Sequence, residues 1–387
     1  MKYNFDEIID RHNTRAIKWD VDCNDSALDA DALSMWIADM DFACAPPIVS
    51  ALKKAAERRI FGYSSNDFDE YYSAVTGFFK RRHGWTINPK HIVFTRGIVP
   101  ALGHIIDALT DVGDNIIIQP PVYPPFARVT TSNRRNIVEN PLINDNGYYT
   151  MDYDDLAKKA ADPKTTMMIM CSPHNPAGRV WSAEEIRAVC KICTENNIIL
   201  VSDEIHCDIT RVGIKHTPTL TLFEDAQNIV VCTAPTKTFN IAGLGASHLV
   251  IPNAILREKV ERHVGELIIN PLTTEAVIAA YSKCDEWVDQ MNAYVDENFR
   301  FFKEAMNKKL PMAVVSEVEG TYLAWPNISA YCDNAMDFER NALKKANLCI
   351  EAGSRFGIQG EGYLRINLAC PRKYVSDAVD KMALLCK

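Results

Sequence analysis

The feature that most constrains the fold is a regular alternation of short apolar runs with helical patterns between residues 91 and 251. The candidate strands are Ile92–Thr95, Asn115–Gln119, Thr166–Cys171, Ile198–Ser202, Ile229–Thr233 and His248–Ile251, and the helices between them include Val99–Leu109, Tyr153–Ala161 and Ala183–Asn196. Strands that are apolar along their whole length are buried on both faces, and helices between such strands are typical of crossover connections. The pattern therefore predicts an α/β fold with a mainly parallel sheet.

Two helices are predicted before this region. The first begins at Pro46 and runs to Ile60, because proline favours the first turn of a helix. The second covers Asp67–His83, with Ser65 or Asn66 as its cap.

The chain is long enough to require a second domain. It has 387 residues, whereas a single core rarely grows beyond roughly 250 to 300 residues. A nearly continuous helical pattern covers Leu272–Lys308, and the elements after it are a strand-like pair, Ala313–Val318 and Thr321–Trp325, then helix Ala335–Ala346, strand Tyr363–Leu368 and helix Val375–Leu385. We predict a large domain over residues 46–285 and a smaller α+β domain built from residues 1–45 and 286–387.

Composition excludes several classes of partner. The formal net charge is -8, and the basic residues are scattered among acidic ones, which argues against nucleic acid as a main partner. The first ten residues are acidic where a secretory signal is basic and then apolar, and no apolar stretch approaches the roughly 18 residues of a membrane helix. We therefore expect a cytoplasmic protein that does not bind membranes.

The twelve cysteines are spread over the whole chain, mostly within apolar strand or helix patterns. Cys190 and Cys193 have the spacing of a redox pair, but they lie inside a helical pattern rather than at a helix start, where thiolates are stabilised. We interpret the cysteines as reduced core residues. No cluster of cysteine and histidine has zinc spacing, so we predict no metal site.

Lys237 is the first candidate for chemistry. It lies in the stretch from Thr233 to Gly245, directly after the apolar run Ile229–Thr233, and Pro235 and the glycines predict a loop. The carboxyl ends of strands bind ligands in α/β sheets, and a lysine held there among apolar groups loses its proton more easily than in water. Most loop lysines are only solvated charges, so the assignment depends on the neighbouring strand ends.

Those strand ends also carry polar groups. Gly97 follows a strand and opens a helix, whose free N–H groups favour an anion such as phosphate. Asn175 follows the strand that ends at Cys171, and Asp203 ends the next one, where a buried carboxylate requires a cationic partner. Tyr123, flanked by prolines, offers a rigid aromatic face. Arg365, inside a strand pattern, has the planar fork that binds carboxylates.

The order Asn175, Asp203, Lys237, Arg365 resembles that of the aspartate-aminotransferase-like, fold-type-I family of pyridoxal-phosphate enzymes, over essentially the whole chain. The resemblance implies a large domain with a mainly parallel seven-stranded sheet, a smaller α+β domain and a homodimer. It implies that Lys237 binds pyridoxal 5′-phosphate covalently and later transfers the Cα proton. Asp203 would keep the pyridine nitrogen protonated.

The same resemblance supplies the other site residues. Further cofactor-binding residues would be Gly97, Ile98, Val99, Tyr123, Asn175, His206, Thr236 and, from the other subunit, Tyr63. Substrate-binding residues would be Arg365, Asp39 and Asn175. Tyr63 and Tyr123 are also catalytic candidates, because either hydroxyl could protonate a leaving sulfur.

Within the family, the chain is most similar to the cystathionine β-lyases, or carbon–sulfur lyases, of the maltose-regulon-modulator type. The matching motifs are Trp36–Phe42, Ser172–Trp181, Ser202–Asp208 and Thr233–Leu244. Two departures from ordinary transaminases agree with this: His206 replaces a tyrosine that tunes the ring hydroxyl, and Gly245 replaces a phosphate-binding arginine. The implied activity is α,β-elimination from L-cystathionine or a related cysteine S-conjugate, which yields a thiol, pyruvate and ammonia.

Two alternatives remain open at this point. A class I/II aminotransferase shares the same carbanion, and the requirement for a 2-oxo acid acceptor would distinguish it. A regulatory protein that binds a transcription activator is the alternative from another class. A dinucleotide site is excluded, because Gly243 and Gly245 lack the third glycine and precede a strand rather than a helix.

Overall fold

The computed structural model describes residues 3–22, 24, 26–65, 67–223 and 226–386. The helices are α1 (Ile17–Asp20), α2 (Pro46–Glu57), α3 (Asp69–His83), α4 (Ile98–Leu109), α5 (Pro125–Ser132), α6 (Tyr153–Ala160), α7 (Ala183–Glu195), α8 (Pro235–Thr238), α9 (Ala254–Val264), α10 (Pro271–Lys283), α11 (Asp285–Lys309), α12 (Ala335–Ala346) and α13 (Arg372–Leu385). The strands are β1 (Leu33–Ser34), β2 (Ile92–Thr95), β3 (Asn115–Ile118), β4 (Asn136–Glu139), β5 (Ile143–Asp145), β6 (Tyr148–Thr150), β7 (Thr165–Cys171), β8 (Ile199–Asp203), β9 (Ile229–Thr233), β10 (Ser247–Val250), β11 (Val314–Val315), β12 (Leu323–Ala324), β13 (Pro326–Asn327), β14 (Leu348–Cys349), β15 (Glu351–Ala352) and β16 (Leu364–Asn367).

Within the described residues, a seven-stranded sheet with the order β2-β10-β9-β8-β7-β3-β4 forms the centre of the molecule. Strands β4, β3, β7, β8 and β9 run parallel, whereas β10 is antiparallel to both of its neighbours. The predicted α/β fold with a mainly parallel seven-stranded sheet is confirmed. The edge strand β4 was not among the sequence candidates, because its residues are partly exposed and lack a continuous apolar run.

The sheet is covered on both faces, as its apolar strands require. Helix α4 packs on one face through Ile98, Ala101, Leu102, Ile105 and Ile106, which recur at the three- and four-residue spacing of one helical stripe. The opposite face packs against a second layer that includes α3, α7 and α10. This double covering leaves the carboxyl ends of the parallel strands as the open edge of the sheet.

A separate apolar core combines the two ends of the chain. It joins Trp19, Leu33 and Met35 to residues of α11, α12, β16 and α13, and β1 pairs in parallel with β14. Phe5 and Phe42, by contrast, pack in the core of the large sheet. The division at residues 45/46 and 285/286 stays a prediction.

Some predicted elements agree with the structure and others differ from it. The nearly continuous helical pattern of Leu272–Lys308 corresponds to α10 and α11, which are separated at Cys284. The two strands predicted within residues 313–325 do not pair with each other: β11 pairs with β13, and β12 pairs with β16. Helix α3 follows Phe68, which makes no side-chain cap, and the cap candidate Asn66 lies outside the described residues.

Among the described residues, no helix combines the length and the apolar character that crossing a lipid bilayer requires.

Candidate active site

The polar residues predicted at successive strand ends do meet in one cavity of about 220 Å³. It opens where β2, β7, β8 and β9 end, and Ala38 and Tyr123 come from two further segments of the chain. The predicted residues that line it are Gly97, Ile98, Val99, Tyr123, Asn175, Asp203, His206, Thr236 and Lys237, together with Ala38, Arg96, Pro100, Cys171, Ile205, Ala242 and Gly245. Convergence of parallel strand ends at one edge explains how residues distant in sequence become neighbours.

Lys237 lies on the four-residue helix α8 rather than on a loop, because Pro235 occupies the first helical turn, where proline is tolerated. Its Nζ donates a hydrogen bond of 2.6 Å to the carbonyl oxygen of Ala38. Enclosure by protein lowers the pKa of Lys237 to about 8, and the nearby Arg365 acts in the same direction. A substantial fraction of this amine is therefore neutral near pH 8.

Asp203 and His206 are both buried with little compensation. Among the described residues, the Asp203 side chain accepts one hydrogen bond, from the N–H of Ile205 at 3.2 Å, and burial raises the pKa of Asp203 to about 7. Burial, with Lys237 and Arg365 nearby, lowers the pKa of His206 to about 3, so its ring is neutral. His206 Nδ1 has no partner among the described residues. Both side chains therefore offer free hydrogen-bonding capacity to a ligand.

Arg365 stands behind Asn175. Its Nη1 donates to Asn175 Oδ1 at 3.2 Å, and its Nη2 donates to Glu351 Oε2 at 2.5 Å and to the carbonyl oxygen of Trp36 at 3.1 Å. Glu351 faces Arg365 because β15 and β16 pair in that register. Arg365 Nε is buried without a partner among the described residues, so part of the guanidinium fork remains available.

The phosphate-site prediction falls at the start of α4. Gly97 is the N-cap residue with φ +146°, a conformation that favours glycine, and no side chain caps the helix. The N–H groups of Ile98 and Val99 belong to the first helical turn, which lacks intrahelical acceptors. Thr236 lines the same cavity.

Of the other predicted site residues, Tyr123 lines the active-site cavity, whereas Asp39 and Tyr63 do not. Tyr123 lines the cavity, and burial raises the pKa of its hydroxyl. Asp39 lies near Lys237, but its carboxylate forms an ion pair with Arg11, with 2.7 Å between Arg11 Nη2 and Asp39 Oδ2. Tyr63 is 92% exposed and lines a neighbouring open cavity of about 820 Å³ instead.

Sequence reasoning missed the support behind these residues. Ala38, which accepts the bond from Lys237, acts through its backbone, so no side-chain signal could reveal it. The buried pair of Lys18 and Asp41 holds the same segment: Lys18 Nζ donates to Asp41 Oδ2 at 2.6 Å and to the carbonyl oxygen of Asp39 at 2.9 Å. Lys18 lies in the short helix α1, whereas Asp39 and Asp41 lie in an irregular segment, so no periodic pattern in the sequence relates them.

His83, Cys207 and Asp208 form a further cluster that spacing did not predict, with potential ligand atoms within 4.8 Å of one another. Asp208 already accepts hydrogen bonds of 2.7 Å from both His83 Nε2 and Thr238 Oγ1. Burial strongly raises the pKa of Cys207, which disfavours the thiolate that a metal needs. The cluster therefore supports the helix that carries Lys237 through Thr238.

The cavity thus presents a partly neutral amine, a buried carboxyl group, an unpartnered imidazole nitrogen and free N–H groups at a helix start. This donor set fits a planar heteroaromatic aldehyde that carries a ring nitrogen and an anionic substituent. The amine suits the aldehyde, the carboxyl group suits the ring nitrogen and the helix start suits the anion.

Comparison with known proteins agrees with this geometry. The family model "Aminotransferase class I and II" matches residues 31–382. The chain is 38% identical to cystathionine β-lyase PatB of Bacillus subtilis over 98% of both sequences, and 28% identical to protein MalY of Escherichia coli over 97% of both. A solved structure of the PLP-bound C–S lyase of Staphylococcus hominis, in complex with L-cycloserine, matches with a TM-score of 0.95 and 37% identity, covering 100% of this chain and 99% of that one. The resemblance predicted from the motifs is confirmed, and the chain belongs to the class I and II aminotransferase family.

Proposed function

We propose that this protein is a pyridoxal-phosphate-dependent carbon–sulfur β-lyase that cleaves L-cystathionine or a related cysteine S-conjugate. The observation that carries the proposal is the full-length similarity to a protein named cystathionine β-lyase, at 38% identity. The PLP-bound C–S lyase of Staphylococcus hominis, at 37% identity, supports both the cofactor and the type of reaction. The products are a thiol, pyruvate and ammonia.

When bound, pyridoxal phosphate acts as an electron sink that stabilises a carbanion at Cα of the amino acid. The residues of the cavity fit this cofactor. We assign Asp203 to the ring nitrogen, because burial without a cation leaves its carboxyl group available for a charged partner. We assign Asn175 and His206 to the polar edge of the ring, Tyr123 to its face, and the N-terminus of α4 with Thr236 to the phosphate.

Lys237 is the proposed base. Its pKa of about 8 leaves part of the amine neutral and able to remove the Cα proton at physiological pH, and the bond to the Ala38 carbonyl oxygen orients Nζ. The Cβ–S bond then breaks, the sulfur takes a proton, and the remaining three-carbon unit is hydrolysed to pyruvate and ammonia. The raised pKa of Tyr123 keeps its hydroxyl protonated, which suits a donor to the leaving sulfur.

Arg365 and Asp39 are the proposed substrate-binding residues. Arg365 would hold the α-carboxylate through donors that Glu351, Asn175 and Trp36 leave free. Asp39 keeps part of its carboxylate accessible beside Arg11, with 25% of the side chain exposed. Both positions border the segment that contacts Lys237, so the substrate would bind beside the base.

We also propose a homodimer in which Tyr63 reaches the site of the neighbouring subunit. Phe61, Tyr63 and Ile268 are exposed apolar or aromatic residues that line the open cavity beside the active site. Such an exposed apolar patch is typical of a protein interface.

Subunit mixing tests this arrangement. Lys237→Ala and Tyr63→Ala homodimers are each expected to be inactive or weak, but random mixing gives heterodimers with one intact site and about a quarter of full activity. Recovery would be absent if Tyr63 served its own subunit.

The cytoplasmic location stays a proposal. It is consistent with the free thiols of the cysteines described in the structure, since disulfides persist mainly in oxidising compartments.

The decisive experiment measures pyruvate and ammonia released from L-cystathionine by the purified holoenzyme without an added oxo acid. We expect equal amounts of pyruvate, ammonia and homocysteine. Amino transfer that requires a 2-oxo acid, with no pyruvate formed in its absence, would overturn the lyase proposal in favour of a transaminase.

A further inference from the structure

Arg96 is a cation at the junction of two cavities. It lines both the 220 Å³ cavity of the active site and the 820 Å³ open cavity beside it. The residue is exposed, and its Nη2 donates to the carbonyl oxygen of Ile268. Within the described part of the chain, no carboxylate forms an ion pair with Arg96. A guanidinium with one backbone acceptor keeps most of its five donors free.

The neighbouring backbone already favours an anion. Arg96 directly precedes Gly97, the N-cap of the twelve-residue helix α4, and no side chain caps that helix. Ile98 and Val99 are the first two residues of the helix, and each offers a free N–H group. The third residue, Pro100, has no N–H group and adds no donor. Two N–H groups and a helix dipole offset only part of the nearly double charge of a phosphate monoester near pH 7.

The other cations near the cavity are committed elsewhere. Lys237 bonds to the Ala38 carbonyl oxygen and is the residue proposed to react with the cofactor aldehyde. Arg365 is paired with Glu351 and does not line the cavity. Arg96 is therefore the cation that lines the cavity, among the described residues, without another role.

Gly245 lies next to Arg96 in the cavity wall but has no side chain that could carry a positive charge. It has φ +59°, and a Cβ atom there would lie 3.2 Å from the backbone oxygen of Arg96. A Cβ atom at that distance is tighter than most Cβ contacts, and the positive φ strains any residue other than glycine. Position 245 therefore favours glycine, which has no cationic side chain, whereas the flexible side chain of residue 96 begins next to the helix start.

We propose that the Arg96 guanidinium binds the phosphate ester of pyridoxal phosphate together with the N-terminus of α4. Arg96 is thus the residue that makes the site prefer the phosphorylated cofactor over pyridoxal. This inference rests on the cofactor of the proposed function. It requires that the side chain turn from the Ile268 carbonyl oxygen towards the active-site cavity, which residue 96 lines.

The test compares two ligands that differ only in the phosphate. The apo forms of the wild type, Arg96→Gln and Arg96→Lys are titrated with pyridoxal phosphate and with pyridoxal, in buffer without phosphate or sulfate, and binding is followed by the absorbance of the bound aldehyde. For Arg96→Gln we expect the Kd of pyridoxal phosphate to rise about 10- to 100-fold, since a charge-assisted hydrogen bond is lost. The Kd of pyridoxal should stay within about twofold, and Arg96→Lys should retain part of the preference.

Arg340→Gln is the matched control, because Arg340 is an exposed arginine on α12, outside both cavities. Light scattering of each variant checks that the oligomeric state is unchanged. An equal loss of affinity for both ligands, or no loss for either, would overturn the role of Arg96. Failure of the wild type to bind pyridoxal phosphate at all would instead remove the cofactor of the proposed function, so the two failures are distinguishable.

Discussion

Asp41 and Asp203 are almost equally buried, with 4% and 3% of their surfaces exposed, but their surroundings differ. Asp41 accepts hydrogen bonds from Lys18 Nζ at 2.6 Å and from Trp19 Nε1 at 2.8 Å, and Arg11 lies 3.4 Å away. Asp203 accepts one bond of 3.2 Å from a backbone N–H group. One carboxylate is fully compensated by the chain, whereas the other is not.

This difference distinguishes buried charges that stabilise the structure from buried groups that can bind a ligand. Buried charges that are paired within the chain hold the structure, and buried groups without partners remain ready for a ligand. Asp203, His206 and Lys237 belong to the second kind, because none of them has a partner of opposite charge at hydrogen-bond distance among the described residues, and burial shifts the pKa of each towards its neutral form. The region of Asp41 belongs to the first kind, and it positions the Ala38 and Asp39 carbonyl groups beside the site.

The largest expected effect comes from removing the reactive group of the uncompensated region. Lys237→Ala should lower pyruvate release from L-cystathionine by about 10³-fold or more, because both the covalent attachment and the base are lost. The cofactor should still bind, now removable by dialysis. Pyruvate release and cofactor absorbance before and after dialysis are the measurements.

Lys308→Ala provides the control, since Lys308 is an exposed lysine in the last turn of α11. It should retain the activity of the wild type. If Lys237→Ala kept full turnover with the cofactor bound, the assignment of the base would be wrong.

Breaking the compensated region should instead destabilise the protein. Lys18 is completely buried, so Lys18→Met leaves the Asp41 carboxylate without its closest cation. The free energy of unfolding should fall by about 3 to 5 kcal/mol, as is usual when one partner of a buried ion pair is removed. Urea unfolding of the apo-protein measures the loss.

The double variant Lys18→Met/Asp41→Asn sharpens the comparison. The amide keeps an acceptor for Trp19 but carries no charge, so much of the lost stability should return. A single variant as stable as the wild type would mean that Arg11 alone compensates Asp41.

The sequence predicted the uncompensated region better than the compensated one. Strand ends such as Cys171 and Asp203 follow apolar runs that are easy to recognise, and parallel strands bring their ends together. Asn175, Asp203 and Lys237 could therefore be placed in one cavity from the pattern and the family resemblance.

The supporting contacts depend on tertiary structure instead. The pair of Lys18 and Asp41 joins irregular segments near the N-terminus, and Glu351 meets Arg365 through the register of two-residue strand β15. Neither has a periodic signal. The partner of Lys237 is a backbone oxygen, which every residue carries, so the sequence cannot single out Ala38.

Neutralising Asp203 should remove a loss of stability that accompanies rising pH. The pKa of Asp203 lies at about 7 in the folded protein against an ordinary value of 3.8. The folded state therefore binds more protons between these values, and this group lowers the stability of the apo-protein as pH rises from about 4 to 7. The pKa of Lys237 is lowered from 10.5 to about 8, so this group acts oppositely and adds stability as the pH rises from about 8 to 10.5.

Asp203→Asn should remove the first effect, so the apo variant should be more stable than the wild type by up to about 4 kcal/mol at pH 8 and nearly equal at pH 4. Urea unfolding at both pH values measures this, with the exposed Asp333→Asn as control. With the cofactor bound the order should reverse, because the wild-type carboxylate then has a cationic partner. A variant less stable than the wild type in the apo form at pH 8 would mean that the chain itself compensates Asp203, and the contrast with Asp41 would disappear.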